Sequence, residues 1–258
     1  MPPIITIPIA EHRSAVASIQ TFDLGDVPAG SLIFVAYSKF DPDGTGNVLF
    51  PLSDDAGNDW SGDPTPPGSG GGSNHYFKGW SPNNFVQMQV EAIQGCLGGN
   101  PITLSFDPGA SIINGDLDII VAIVQGITEV GPLYAIDAYQ QNVDPGTGTV
   151  VTLDTTAANP FGGANSPVSA LPEAIFTTIL TNRAFGANVL TPPPGYTSLG
   201  NTGFVSVAEQ DAASTGDFSI DWNFTNGGEV YAELQGFFFS SSPPSGGTRL
   251  LTALGVGQ

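Results

Sequence analysis

Apolar and polar side chains take turns along short stretches of the chain, in runs bounded by Gly, Pro, Asn and Asp. Phe218-Ser-Ile-Asp-Trp222 and Tyr231-Ala-Glu-Leu-Gln235 have the two-residue period of a half-buried strand. Leu117-Asp-Ile-Ile-Val-Ala-Ile-Val124 is nearly continuous instead, as in a strand buried on both faces and central in its sheet. This pattern predicts strands at 16–24, 31–40, 75–80, 85–93, 101–106 and 117–127, then at 149–153, 173–182, 196–199, 204–210, 217–224 and 229–239. The best helical window, residues 10–17, is short. About twelve strands separated by turn signals predict an all-β chain, an antiparallel sandwich or a barrel.

The order of strand types recurs. Ser31-Leu-Ile-Phe-Val-Ala-Tyr37, a long loop, Ile102-Thr-Leu-Ser-Phe106 and a strand closing on Gln125-Gly-Ile127 are matched later in the chain. The matching segments are Ala174-Ile-Phe-Thr-Thr-Ile-Leu180, Phe218-Ser-Ile-Asp-Trp-Asn-Phe224 and Gln235-Gly-Phe237. This predicts a pseudo-duplicated sandwich (halves 13–127 and 128–240) around one shared core. An N-terminal arm at 1–12 and a linker with an apolar tip at 241–258 stand outside it. Ile4, Ile5, Ile7 and Ile9 in the arm, and Leu250, Leu251 and Leu254 in the tip, are candidate assembly contacts, because strand addition needs only such an extended segment. The tip folding back on its own core is the alternative.

Composition narrows the function. Gly (34) and Pro (22) are abundant and read as turns between strands. Asp and Glu total 24 against five Lys and Arg, a net charge of −19. The five cations stand singly at Arg13, Lys39, Lys78, Arg183 and Arg249, which argues against nucleic acid and anionic membrane as partners. A single cysteine, Cys96, allows no internal disulfide. The N-terminal stretch lacks a basic region and is interrupted by Pro8, so no signal peptide is expected. No apolar stretch approaches the roughly 20 residues of a spanning helix, so a soluble chain made in the cytoplasm is expected.

Catalytic signals are sparse. The two histidines, His12 and His75, lie far from any Gly-x-Ser-x-Gly elbow, and neither lysine sits in a phosphate-binding loop. Glu209, Asp211, Glu229 and Glu233 are the carboxylates to inspect for glycoside hydrolysis. Asp41, Asp43, Thr45 and Asn47 place oxygen ligands at alternate positions of a Gly-containing loop, the spacing suited to Ca²⁺, with Asp54, Asp55, Asn58 and Asp59 in a second acidic turn nearby. An acidic hairpin turn without metal is the preferred reading, and no other cofactor is expected. Trp60, Tyr76 and Trp80 bracket the Gly/Pro loop at 63–73 and are candidates for stacking on a glycan, against a plain packing role.

One resemblance follows from several of these segments together. Ala29-Gly-Ser-Leu-Ile-Phe-Val-Ala-Tyr37, Ser53-Asp-Asp-Ala-Gly-Asn-Asp-Trp60, Gly98-Gly-Asn-Pro-Ile-Thr-Leu-Ser-Phe106 and Pro192-Pro-Pro-Gly-Tyr196 occur in that order. The order resembles a broad group of bacterial and phage surface β-sandwich proteins of jelly-roll and lectin-like outline, over roughly residues 13–240. The loops at 41–47 and 63–73 depart from the pattern. The resemblance carries no catalytic residues. It implies a non-enzymatic virion structural protein of a bacteriophage: capsid decoration, head fibre or tail accessory protein. Such a protein assembles with other virion proteins or with itself as a homo-oligomer. The alternative is an exported, extracellular or cell-surface module binding host surface glycan; a polysaccharide depolymerase ranks third.

Overall fold

A computed structural model describes residues 4–16, 18–40, 52–60, 74–80, 86–93, 95–107, 115–126, 136–145, 149–154, 171–181, 189–217, 219–225 and 229–238. For 74–80, 86–89, 136–145 and most of 229–238 the description is of the backbone. The chain is all-β, an antiparallel β-sandwich with fifteen strands and no helix among the described residues. Eight strands form the first half: β1 (Ile4–Val16), β2 (Gln20–Val27), β3 (Leu32–Phe40), β4 (Leu52–Asp54), β5 (Asn74–Trp80), β6 (Val86–Ile93), β7 (Gly99–Phe106) and β8 (Gly115–Gln125). Seven form the second: β9 (Ile136–Pro145), β10 (Val150–Asp154), β11 (Glu173–Thr181), β12 (Thr197–Asn201), β13 (Val205–Asp211), β14 (Ser219–Asn223) and β15 (Glu229–Phe238).

The two halves share one connectivity. In the first, a five-stranded sheet β1-β8-β3-β6-β5 is covered by β2-β7-β4. In the second, β9-β15-β11-β13-β12 is covered by β10-β14, and Thr191 bridges to Asn223 on the side of β14 away from β10, where β4 stands beside β7 in the first half. The correspondence is complete: β9 takes the place of β1, β10 of β2, β11 of β3, β12 of β5, β13 of β6, β14 of β7 and β15 of β8.

The single shared core expected from the sequence is replaced by three. One lies inside the first sandwich and includes Phe22, Tyr37, Trp60 and Phe106, with the rings of Tyr37 on β3 and Phe106 on β7 meeting edge to face at 5.3 Å. Another lies inside the second and includes Leu153, Ile179, Trp222 and Val230. The third is a seam between the two five-stranded sheets. Successive side chains of a strand point to opposite faces, so each inner strand feeds two cores. Ile33, Val35 and Tyr37 enter the first sandwich while Leu32, Phe34 and Ala36 enter the seam. Likewise Ile119 and Val121 point one way, Ile120 and Ala122 the other. That double burial is the physical reason why 117–124 and 31–37 read as continuous apolar runs, and β8 does lie inside its sheet, between β1 and β3.

Two expectations are corrected near the N-terminus. Residues 10–16 of the helical window belong to β1, and residues 4–12 of the expected arm are not separate, because β1 pairs along its length with β8. Ile5 and Ile7 pack against the seam and Ile9 against the first core; only Ile4 stands out, at 57% exposure. The register shifts between Thr6 and Ile9, where Pro8 sits. Proline has no N–H to give a ladder, so a bulge on an edge strand is the place that accommodates it. The shift also explains how Ile7 and Ile9, two apart, reach different cores.

Candidate functional site

Residues 41–47, with Asp41, Asp43, Thr45 and Asn47, lie outside the described residues, as do Leu250, Leu251 and Leu254. Among the described residues no three His, Cys, Asp or Glu side chains gather as a metal site. Tyr76 and Trp80 fall on β5, in register with Val90 and Val86 of β6. Trp60 is a correction: only 3% exposed, it packs in the first core and has no ring face for a sugar.

The acidic turn before Trp60 is a hydrogen-bonded knot. Asp54 Oδ2 accepts from Trp60 Nε1 at 2.7 Å and from Asn58 Nδ2 at 2.8 Å, and Asp54 Oδ1 accepts from the Asn58 amide at 3.1 Å. Asn58 Oδ1 in turn accepts from the Leu97 amide at 2.7 Å, and Asp55 Oδ1 from the Thr103 amide at 2.8 Å. That backbone bond holds the Asp55 carboxyl below its ordinary range. The Asp-Asp-Ala-Gly-Asn-Asp-Trp motif therefore works as a clamp. It satisfies the buried indole and ties β4 to β7 and to the loop before it.

Two nucleophilic side chains, Ser38 and Cys96, are buried. Ser38, Asp118 and His12 lie opposite one another on β3, β8 and β1, with His12 Nδ1 3.3 Å from Asp118 Oδ1. The carboxylate is in the middle of this row. Nucleophile activation needs the imidazole there. The Cys96 thiol is buried, and desolvation raises its pKa, the reverse of what a reactive thiolate requires.

Glu209 and Asp211 are brought to a cleft. Val205 and Val207 point from β13 into the seam, and the same row continues into Glu209 and Asp211 where the two sheets part. There a cleft of about 430 Å³ opens between Ile5 of β1 and the second half, lined by Thr197, Glu209, Gln210 and Asp211. A second cleft of about 210 Å³ shares Gln210 and Ala213 and is lined further by Pro194, Tyr196, Asp217 and Ile220. The two carboxylates stand side by side on one strand, rather than facing each other across a gap as bond-flanking acids do. Glu229 and Glu233 lie on β15, with Glu233 in register with Thr178 of β11. Sequence reading missed Tyr196 and Gln210; the signal was the Pro192-Pro-Pro-Gly-Tyr196 turn, in which Gly195 takes a φ of +89°.

Burial pushes the Glu209 carboxyl above its ordinary range, and the Asp211 charge adds to it; burial and then the Glu209 charge also raise the Tyr196 phenol. A carboxyl whose pKa is higher folded than unfolded holds more protons in the folded state within that window. Stability from this group is therefore lost as pH rises from about 4.3, the ordinary glutamate value, through the raised one. Glu209→Gln is expected to remove that slope. Denaturation midpoints of variant and parent should agree at low pH, with the variant the more stable at neutral pH. Parallel pH profiles would contradict the assignment.

Compared with protein-family models, curated proteins and solved structures, the chain has no match.

Proposed function

We propose that the chain is a non-enzymatic structural protein of a bacteriophage virion, acting by assembly with other virion proteins and with copies of itself. The observation that carries this reading is the strand order. The first half sets β1-β8-β3-β6-β5 against β2-β7-β4; the order β1-β8-β3-β6 and β2-β7-β4 supports a jelly-roll reading, from which β5 departs by lying beside β6, and the second half repeats the arrangement with seven strands. Jelly rolls recur in capsid and lectin domains, so the step from fold to setting is one of analogy. The polar chemistry supports it: Asp54 clamps a tryptophan, Asp118 faces His12, and the thiol of Cys96 is buried. Immunogold labelling and mass spectrometry of density-purified particles from the source culture test the reading. Label at regular positions is expected; bare particles, with the protein on cells or in the medium, would overturn it.

The clefts around Gln210 favour a second reading, a glycan-binding module. Tyr196 and Pro194 supply an apolar wall, and Gln210 and Asp217 supply hydrogen-bonding groups of the kind sugar hydroxyls need. A glycan array probed with the parent and with Gln210→Ala separates the readings: binding lost in the variant supports the module, and flat curves for both exclude it.

A further inference from the structure

We infer that the chain is built as a fused homodimer. The outward face of β1-β8-β3-β6-β5 is an interaction surface whose partner is the homologous face of the second half, and the halves meet about a twofold axis between Phe34 and Phe176. This is independent of the virion reading.

Three observations carry it. The first is the stacking order across the seam: β1 contacts β12, β8 contacts β12 and β13, and β3 contacts β11 and β13. In corresponding positions, the first strand lies over the fifth, the eighth over the fifth and sixth, and the third over the third and sixth. Repeats stacked by translation set like over like along the whole sheet. A reversed order with the middle strand over its own counterpart is what a twofold rotation produces.

The second is at the centre. Phe34 and Phe176 follow Ile33 and Ile175 in the two corresponding strands β3 and β11, and their rings meet edge to face with centroids 5.3 Å apart. In an isologous interface, a residue touches its own counterpart only on the axis. Around this pair the seam is apolar from both sides, Leu32, Ile120 and Val124 from one and Leu180, Val205 and Val207 from the other. Close approach is built in: a Cβ on Gly200 of β12 would lie 3.2 Å from Ala10 Cβ and from Ile120 Cδ1.

The third is the chain path. Gln125, near the end of the first half, is paired with Ile4, and Phe237, near the end of the second, is paired with Ile136. The nine residues 127–135 cross from one place to the other, a reach of at most about 30 Å. A return from Phe238 to Ile4 joins the same two places. Residues 239–258 and 1–3, twenty-three in all, are more than long enough to make it. The order of the halves along the chain is therefore immaterial to the fold.

A circular permutant containing every residue tests this: 127–258 followed directly by 1–126. Its far-UV spectrum and monomeric mass by light scattering should match the parent, with a melting temperature within a few degrees. In parallel, a protease site placed in 127–135 of the full chain is cleaved after folding. The fragments should co-elute on gel filtration and part only in denaturant. Phe34→Ala and Phe176→Ala should each weaken that association to a similar extent, and the double variant by less than the sum. Fragments that part spontaneously overturn the self-recognition surface. A permutant that fails to fold while the cleaved halves stay together overturns the interchangeability of their order, and with it the twofold.

Discussion

Trp222→Ala is expected to lower the unfolding free energy by about 3–5 kcal/mol, the range for removing a large aromatic side chain from a packed core. Trp222 has no exposed surface and is among the largest fully buried side chains. It sits on β14 in the outer sheet of the second half, where among the described residues β10 and the Thr191 bridge stand beside it. The indole Nε1 also donates to Thr177 Oγ1 at 2.8 Å, joining the outer sheet to the middle of β11. Trp222→Phe keeps most of the apolar contact and removes that donor, so its cost should be smaller, about 1–3 kcal/mol. Thermal melts check both, since each kcal/mol moves the midpoint of a chain this size by about 2–4 °C. An alanine variant that melts with the parent would show that the second sandwich packs differently.

Gly98→Ala is expected to cost about 3 kcal/mol or more, from two separate causes. The residue has φ +74°, where a side chain is disfavoured by about 1–2 kcal/mol. A Cβ there would also lie 2.5 Å from the Ala29 nitrogen, 2.7 Å from its Cα and 2.8 Å from the Val27 carbonyl oxygen. All three are backbone atoms and cannot swing aside. The loop between β6 and β7 presses there on the turn between β2 and β3. The same region is stitched by Gly30 N–H to the Cys96 carbonyl at 2.8 Å and Cys96 N–H to the Ser31 carbonyl at 3.0 Å. Gly25→Ala is the control. It shares a positive φ, +69°, but a Cβ would meet nothing within 4 Å, so it should cost only the conformational term. Equal losses in the two variants would mean that the loop yields, and that the close approach at Gly98 is not what holds it.

The clamp and the cleft differ in how far sequence could reach them. The Asp54–Trp60 clamp closes within seven residues, so its shape is a local matter of a tight turn and a short carboxylate. Its hydrogen-bond partners were not legible there, because oxygens spaced for a cation and oxygens spaced for an indole and an amide look alike until the donors are placed. The Glu209–Asp211 cleft needs Ile5 from the opposite end of the chain, and no local pattern reports that approach.

Alternation and its loss were enough, without any tertiary information, to predict an all-β chain whose strand 117–124 lies inside its sheet and whose second half echoes the first. These are properties of side-chain period and of which faces must leave water. Tertiary structure alone decided that the echo makes two sandwiches and a seam in place of one core, that Ile5, Ile7 and Ile9 join a sheet in place of forming a free arm, and that Trp60 turns inward. The physical reason is shared: a period of two says that a face is buried, but not against what. Only long-range pairing, Ile4 with Gln125 and Phe34 against Phe176, supplies the partner.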